Sequence, residues 1–269
     1  MRVTRGLLAL TALLLVSCAH QAPRALDGSA VQDLQSIRNL KVYFGHQSVG
    51  ANILEGLRAI EKESGTGPIV TDSLIGVNGE PIGKCEDFSR RIAAMTELPD
   101  VALMKFCYID FDQGTDAAKL FSRYAATLDG LQAKYPSVTF VPVTTPLTTM
   151  SPAWKRMIKR VLGSTDAASA VNAKRAEFNQ LLAQRYAGRT IFDVARAEST
   201  KPDGTRNEFE WNGETAYSMV DAYSSDGGHL NPLGERVLAE QFVHALAAAA
   251  RARSARVSPA ASGSDSTSR

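Results

Sequence analysis

The residues of this chain best suited to covalent chemistry are one serine, one histidine and one aspartate, carried by two short segments near opposite ends. The first is Phe44-Gly45-His46-Gln47-Ser48-Val49-Gly50, directly after a short apolar run. The second is Asp226-Gly227-Gly228-His229-Leu230-Asn231, just before a helical pattern that opens at Pro232. A serine hydroxyl becomes a useful nucleophile when a base takes its proton. Histidine is a common base, and a carboxylate behind it fixes the tautomer and steadies the imidazolium. Ser48, His229 and Asp226 match those three roles. Each segment alone has a plainer explanation: serine is a favoured helix N-cap, and Asp and His in a Gly-rich turn satisfy turn hydrogen bonds. Their joint presence, each beside the right kind of element, points to acyl transfer through a serine.

A side chain where a strand turns into a helix sits in the positive end of the helix dipole, among backbone N–H groups able to hold an oxyanion. Gly45 and Gly50 would let a substrate approach the backbone closely. His46, two residues before Ser48, is placed to line the pocket or to donate to substrate. Of the four histidines, His20 falls in an N-terminal stretch and His244 inside the last helical pattern, where packing duty is the default.

The elements that must position these residues alternate along the chain. Strands are predicted at Lys41–Phe44, Pro68–Thr71, Val101–Phe106, Val138–Val143 and Thr190–Asp193. Helices are predicted at Val49–Lys62, Glu86–Met95, Asp116–Lys134, Ala153–Leu162, Asp166–Tyr186 and from Pro232 to about Ala249, with Pro232 favourable in a first turn. Such alternation predicts an α/β domain, a mostly parallel five-stranded sheet covered by helices on both faces. Ligands in such sheets sit beyond the C-terminal strand ends, which is where Ser48 falls. The stretch from about Lys201 to Ser225 has little helical periodicity and carries Phe209, Trp211, Tyr217 and Tyr223. It reads as an excursion whose aromatics pack onto the body, or else as a substrate-facing loop. Thr144–Thr149 reads as a turn at the same end of the sheet.

With a serine after the first strand and Asp-x-x-His before the last helix, the chain resembles the SGNH/GDSL hydrolase superfamily, in a divergent branch, across most of residues 40–249. Asp226-x-x-His229, followed by Asn231 and Gly234, is the most specific part of the likeness. The resemblance implies a flavodoxin-like three-layer α/β/α fold, Ser48 as nucleophile, and Asp226 and His229 as its partners. The usual first block reads Gly-Asp-Ser; here Gly45-His46-Gln47-Ser48 has one residue more and no Asp. The usual third block carries Gly-x-Asn-Asp, its Asn donating to the oxyanion. Here Lys105-Phe106-Cys107-Tyr108-Ile109-Asp110 puts Ile109 at the Asn position, and isoleucine cannot donate. The replacements available are the Tyr108 hydroxyl, the Lys105 ammonium and Asn78, in the loop Gly76-Val77-Asn78-Gly79. Gly76, Gly79 and Gly83 are open choices for the glycine N–H of the second block.

The chain has 269 residues, of which 44% are hydrophobic and 22% charged, enough for one globular domain with a sizeable core. The N-terminus stands apart from it. Arg2 and Arg5 precede an apolar run from Leu7 to Val16, the layout of a secretory signal. Leu15-Val16-Ser17-Cys18 resembles the bacterial lipobox, which implies cleavage before Cys18 and lipid attachment to it. The expected organisation is a signal at 1–17, a tether at 18–30, the domain at 31–250 and a disordered tail at 251–269. Removing 1–17 takes away Arg2 and Arg5 and no acid. The remaining chain is balanced between acid and base, and nothing in it suggests a nucleic-acid partner. Cys85 and Cys107 would then lie in a compartment that permits a disulfide, in spacing that fits no recurring zinc pattern.

These readings converge on a lipid-anchored serine esterase or acyltransferase of the bacterial cell envelope, needing no cofactor or metal. It would act on an ester-bearing small molecule or glycan, such as an O-acyl group. Two alternatives stand beside it: a non-catalytic lipoprotein binding glycan or assembly partners, and metal-dependent hydrolysis through His46, Asp226 and His229, which is short of ligands.

Overall fold

A computed structural model describes residues 27–162 and 166–257. The expected signal, the expected lipid site Cys18 and most of the expected tether and tail lie outside the described residues. The elements in chain order are α1 (Gly28–Ser36), β1 (Val42–His46), α2 (Ser48–Ser64), β2 (Val70–Leu74), α3 (Pro81–Ala94), β3 (Val101–Met104), α4 (Ala117–Lys134) and β4 (Thr139–Val141). Then follow α5 (Ala153–Val161), α6 (Ala167–Arg185), α7 (Val194–Ser199), β5 (Glu208–Trp211), β6 (Glu214–Tyr217) and α8 (Pro232–Val257).

The main sheet is parallel with order β2-β1-β3-β4. Strands β1, β3 and β4 are buried along their length, as continuous apolar runs such as Val101–Met104 require when helices cover both faces. One core cluster joins Phe44, Ile53, Leu57, Leu103 and Phe242. The other joins Tyr43, Phe88, Phe140 and Phe178 on the opposite face. The three-layer α/β/α arrangement is therefore as expected.

The fifth strand differs. Thr190–Asp193 contributes a single parallel bridge between Phe192 and Val143, closed by Phe192 N–H to the Pro142 carbonyl at 2.9 Å and Thr144 N–H to the Phe192 carbonyl at 3.1 Å. The next residue, Asp193, accepts from the Arg196 N–H and caps α7. Helix initiation therefore ends the pairing after one residue.

The domain is also longer than expected at both ends. Asp27 caps α1, which packs Ala30 and Leu34 into the core. Residues 251–257 are the last turns of α8, not tail: Arg251 pairs with Asp33, Arg253 with Asp100, and Arg256 donates to Thr139. The 201–225 stretch holds a β-hairpin, β5 against β6. Its turn is Asn212-Gly213, both with positive φ (52° and 83°), the Asn-Gly hairpin signal that the sequence reading passed over. Of the four aromatics in this stretch, Tyr223 is buried in the core and donates to the Thr200 carbonyl, and Tyr217 packs against the same core cluster with the Arg206 guanidinium 3.4 Å over its ring.

Candidate active site

The order β2-β1-β3-β4 places a topological switch point between β1 and β3, where chains leave the sheet towards opposite faces and a crevice opens. Ser48 follows β1 and Cys107-Tyr108 follows β3, so both sides of that crevice carry residues with chemistry. Gln47, in extended conformation, makes the turn from β1 into α2. Its side-chain amide donates to the Ile75 and Gly76 carbonyls, each at 2.9 Å. The serine turn is thereby tied to the loop after β2. Ser48 is the first residue of α2, half-buried, and its Oγ lies 3.8 Å from the buried Cys107 Sγ.

Asp226 and His229 form a tight unit. Asp226 Oδ2 is 2.7 Å from His229 Nδ1, while Oδ1 accepts from the Gly228 and His229 N–H groups at 2.9 and 2.8 Å. The His229 ring, then those two amides, holds the Asp226 carboxyl well below the usual carboxylate range. An Nδ1–H donated to a fixed carboxylate leaves Nε2 as the basic nitrogen. Gly227 has φ +89°, and a Cβ there would fall 2.8 Å from Thr149 Oγ1; one at Gly228 would fall 2.7 Å from the Tyr108 ring. Both glycines are therefore demanded by the backbone or its neighbours.

Tyr108 is the bridge between the two halves. Its hydroxyl lies 3.5 and 3.4 Å from His229 Nδ1 and Nε2, with the rings at 78°. Bonds this long are weak and leave Nε2 accessible. Among the described residues no hydrogen bond joins Ser48 Oγ to His229; Ser48 meets Cys107 and His229 meets Tyr108, the next residue along the chain. The carbonyl of Tyr108 accepts from buried Arg175 at 2.8 Å, which fixes that segment from behind.

The other expected contributors are sorted by their hydrogen bonds. His46 does not line the pocket. It is 1% exposed, with Nε2 2.9 Å from Asp72 and Nδ1 3.2 Å from the Gln47 carbonyl. Burial holds its pKa below the ordinary value. The residue lies on a buried strand whose neighbouring helix presses Gly50 onto its side chain, where a Cβ would come within 2.4 Å of the His46 Cβ and 2.5 Å of the ring. Metal chemistry through His46 with Asp226 and His229 has no geometric basis: among the described residues no three His, Cys, Asp or Glu side chains are grouped to hold an ion.

Gly76 cannot donate to an oxyanion in this arrangement, because its N–H is given to Asp87 at 2.9 Å. The Gly79 N–H is likewise given to Asp110 at 2.8 Å. Lys105 is fully buried, donating to the Phe106 carbonyl at 3.0 Å and lying 3.8 Å from Cys107 Sγ; burial lowers its pKa. Ile109 is 55% exposed and points to solvent. Asn78 keeps a donor. Its Oδ1 accepts from Lys84 at 3.0 Å, so the amide is oriented with Nδ2 turned away from that bond, and Nδ2 has no partner among the described residues.

Sequence reasoning missed the group that holds this floor together. Lys84 is 0% exposed and reaches both Asp110 oxygens, at 2.8 and 2.6 Å. Asp110 also accepts from the Gly79 and Cys107 N–H groups. A signal existed: Lys84 shares the helical stripe of Phe88 and Ile92, an i, i+4, i+8 series in which a lysine needs a buried partner. Cys85 and Cys107 are both free thiols.

The two carriers of the site are joined below it. Asn52 on α2 donates to Glu235 on α8 at 2.8 Å. At Gly56 the helices approach so closely that a Cβ would fall 2.2 Å from the Glu235 carbonyl oxygen.

No family model and no curated protein matches this chain. Solved structures of related shape include a protein from Streptococcus pneumonia provisionally described as a platelet activating factor, at 13% identity and TM-score 0.49, covering 81% of this chain and 91% of that one. They also include the periplasmic domain of a Salmonella ser. Paratyphi A lipopolysaccharide acetyltransferase, at 16% and 0.46, covering 82% and 90%. A third is a Desulfitobacterium hafniense protein provisionally placed in the lipolytic G-D-S-L family, at 12% and 0.44, covering 77% and 99%. At these identities and scores the likeness assigns no residue a role; the roles here rest on this chain's own geometry.

Proposed function

We propose that the protein is a serine esterase or acyltransferase of the SGNH type, with Ser48 as nucleophile, His229 as general base and Asp226 as its orienting carboxylate. The observation that carries this is the Asp226–His229 pair at 2.7 Å, which meets the Tyr108 hydroxyl, while Ser48 at the start of α2 meets Cys107, the residue before Tyr108. His229 Nε2 takes the Ser48 proton as Oγ attacks an ester carbonyl. The tetrahedral intermediate collapses to an acyl-enzyme, with His229 returning the proton to the leaving alcohol. Water, or a second alcohol, then releases the acyl group by the reverse roles. The Ser48 and Val49 amides at the start of α2 and the oriented Nδ2 of Asn78 are the donors available to the oxyanion, the Gly50 N–H being given to the Gln47 carbonyl at 2.7 Å.

Approach of Ser48 to His229 requires the Ser48 side chain to leave Cys107 and turn towards the Tyr108 side. Catalytic hydrogen bonds of this kind commonly tighten only once substrate binds. The Ser48–Cys107 contact also favours a second reading, in which the crevice binds a glycan or partner without turnover.

We further propose export by the Arg2/Arg5 and Leu7–Val16 signal, with Cys18 as a lipid-bearing terminus in the bacterial envelope. There, O-acyl groups on a glycan are a fitting substrate class.

A fluorophosphonate probe followed by mass spectrometry tests the assignment. An adduct on Ser48 that is lost in Ser48→Ala and in His229→Ala is expected. A folded protein that stays unlabelled, or one labelled at another serine, would overturn it in favour of the binding reading.

A further inference from the structure

Parallel strands all end at one edge of their sheet, and here that edge collects the molecule's exposed apolar surface. Among the described residues, the large hydrophobics that stand exposed are Leu74 at the end of β2, Val77 and Ile82 after it, Ile109 after β3, and five on or just after α5, which follows β4. Ser48, Tyr108 and the Asp226–His229 turn lie at the same edge. Exposed apolar side chains normally stand singly on a protein surface, and a collection of them marks an interaction site.

α5 is the densest part. Trp154, Met157, Ile158, Val161 and Leu162 are 50–80% exposed and fall at i, i+3, i+4, i+7 and i+8, one continuous stripe of the helix. The same stretch contains Lys155, Arg156, Lys159 and Arg160 and no acid. Arg156 and Lys159 turn back to the body, donating to the Ser151 carbonyl and to Asp166. Lys155 lies over the Trp154 ring at 5.4 Å, at the border of the stripe. An apolar stripe with an aromatic and a lysine at its margin, on a basic helix, is the pattern of a helix that rests in the interface of an anionic bilayer. No described helix is long and apolar enough to cross a membrane.

We propose that α5 is an interfacial membrane-binding helix, which seats the C-terminal edge of the sheet, and with it the crevice, on an anionic lipid surface. The inference does not depend on Ser48 being a nucleophile. A soluble protein partner is the rival occupant, but a basic helix without one carboxylate suits phosphate headgroups better.

The test uses the full chain with Trp211→Phe, which leaves Trp154 as the one tryptophan. Vesicles of phosphatidylethanolamine with phosphatidylglycerol, some bearing brominated acyl chains, are compared with phosphatidylcholine vesicles. The expected result is a blue shift of Trp154 emission and quenching by the brominated chains, in the anionic vesicles above all. Lys155→Gln should weaken this binding by about fivefold. Ile158→Asp with Val161→Asp should abolish it while far-ultraviolet circular dichroism is unchanged, since both side chains are exposed. Attachment through the N-terminus alone would carry the chain to vesicles without moving Trp154 emission, and that outcome would overturn the proposal. So would a blue shift that depends on protein concentration without lipid, which would assign the stripe to a second copy of the chain.

Discussion

Lys84 Nζ lies 2.6 Å from Asp110 Oδ2 with neither side chain exposed to solvent. The pair links α3 to the segment after β3, and through the Gly79 and Cys107 amides it sets the loops on both sides of the crevice. Removing one partner of such a pair strands a buried charge, so Lys84→Met should cost about 3–5 kcal/mol. The double variant Lys84→Met with Asp110→Asn should recover part of that loss. It should not recover all, because the two amides lose a full carboxylate acceptor. Urea denaturation of the two variants beside the parent protein measures both effects.

Glu198 is fully buried. Its Oε2 accepts from the Leu147 N–H at 2.6 Å while Oε1 has no hydrogen-bond partner among the described residues. Burial pushes its carboxyl up to about 8. Above the ordinary carboxylate pKa the folded state then holds a proton the unfolded chain has released, so stability falls as pH rises from there through about 8. Between about pH 6 and 9 the loss should be on the order of 1–3 kcal/mol. Glu198→Gln should flatten that stretch of the stability profile, as read by melting temperature against pH.

Gly50→Ala should destabilise by about 1–3 kcal/mol, because the new methyl must displace the His46 ring or the first turn of α2. The same displacement disturbs Ser48, two residues away. Fluorophosphonate labelling of the folded variant should slow, and thermal melting gives the stability change.

Asn78 and Tyr108 make opposite predictions as oxyanion donors. With its amide oriented by Lys84, Asn78→Leu should reduce turnover of an activated ester by about 10²–10³. The Tyr108 hydroxyl is engaged weakly with His229, so Tyr108→Phe should cost less than about tenfold, in line with the loss of one long hydrogen bond. A reversal of that order, measured as kcat/KM, would move the donor role to Tyr108.

The alternating elements were legible because apolar runs such as Val101–Met104 and the stripe of α4 announce their period directly. The Asp226–His229 pair was legible because the residues lie within one turn, so chain geometry alone brings them together. What the sequence did not disclose depends on contacts across the chain. His46 reads like a pocket residue until α2 closes over it at Gly50. Gly76 reads like a donor until Asp87, on the next helix, takes its N–H. The buried partnership of Lys84 with Asp110 joins elements on opposite sides of β3, and neither residue's local pattern names the other. The missed hairpin is a different case: Asn212-Gly213 was in plain view, between strands too short and too polar to register as such.

At Gly56 two helices meet with no side chain between them, and Asn52 pins the same contact to Glu235. One of those helices begins at the serine, and the other begins three residues after the histidine. The spacing of the two motifs is thus inherited from a helix crossing deep in the body, not from the loops that surround the crevice. Loops at the rim can be lengthened, exchanged or reshaped for a new ligand while the alignment beneath them stays as it was.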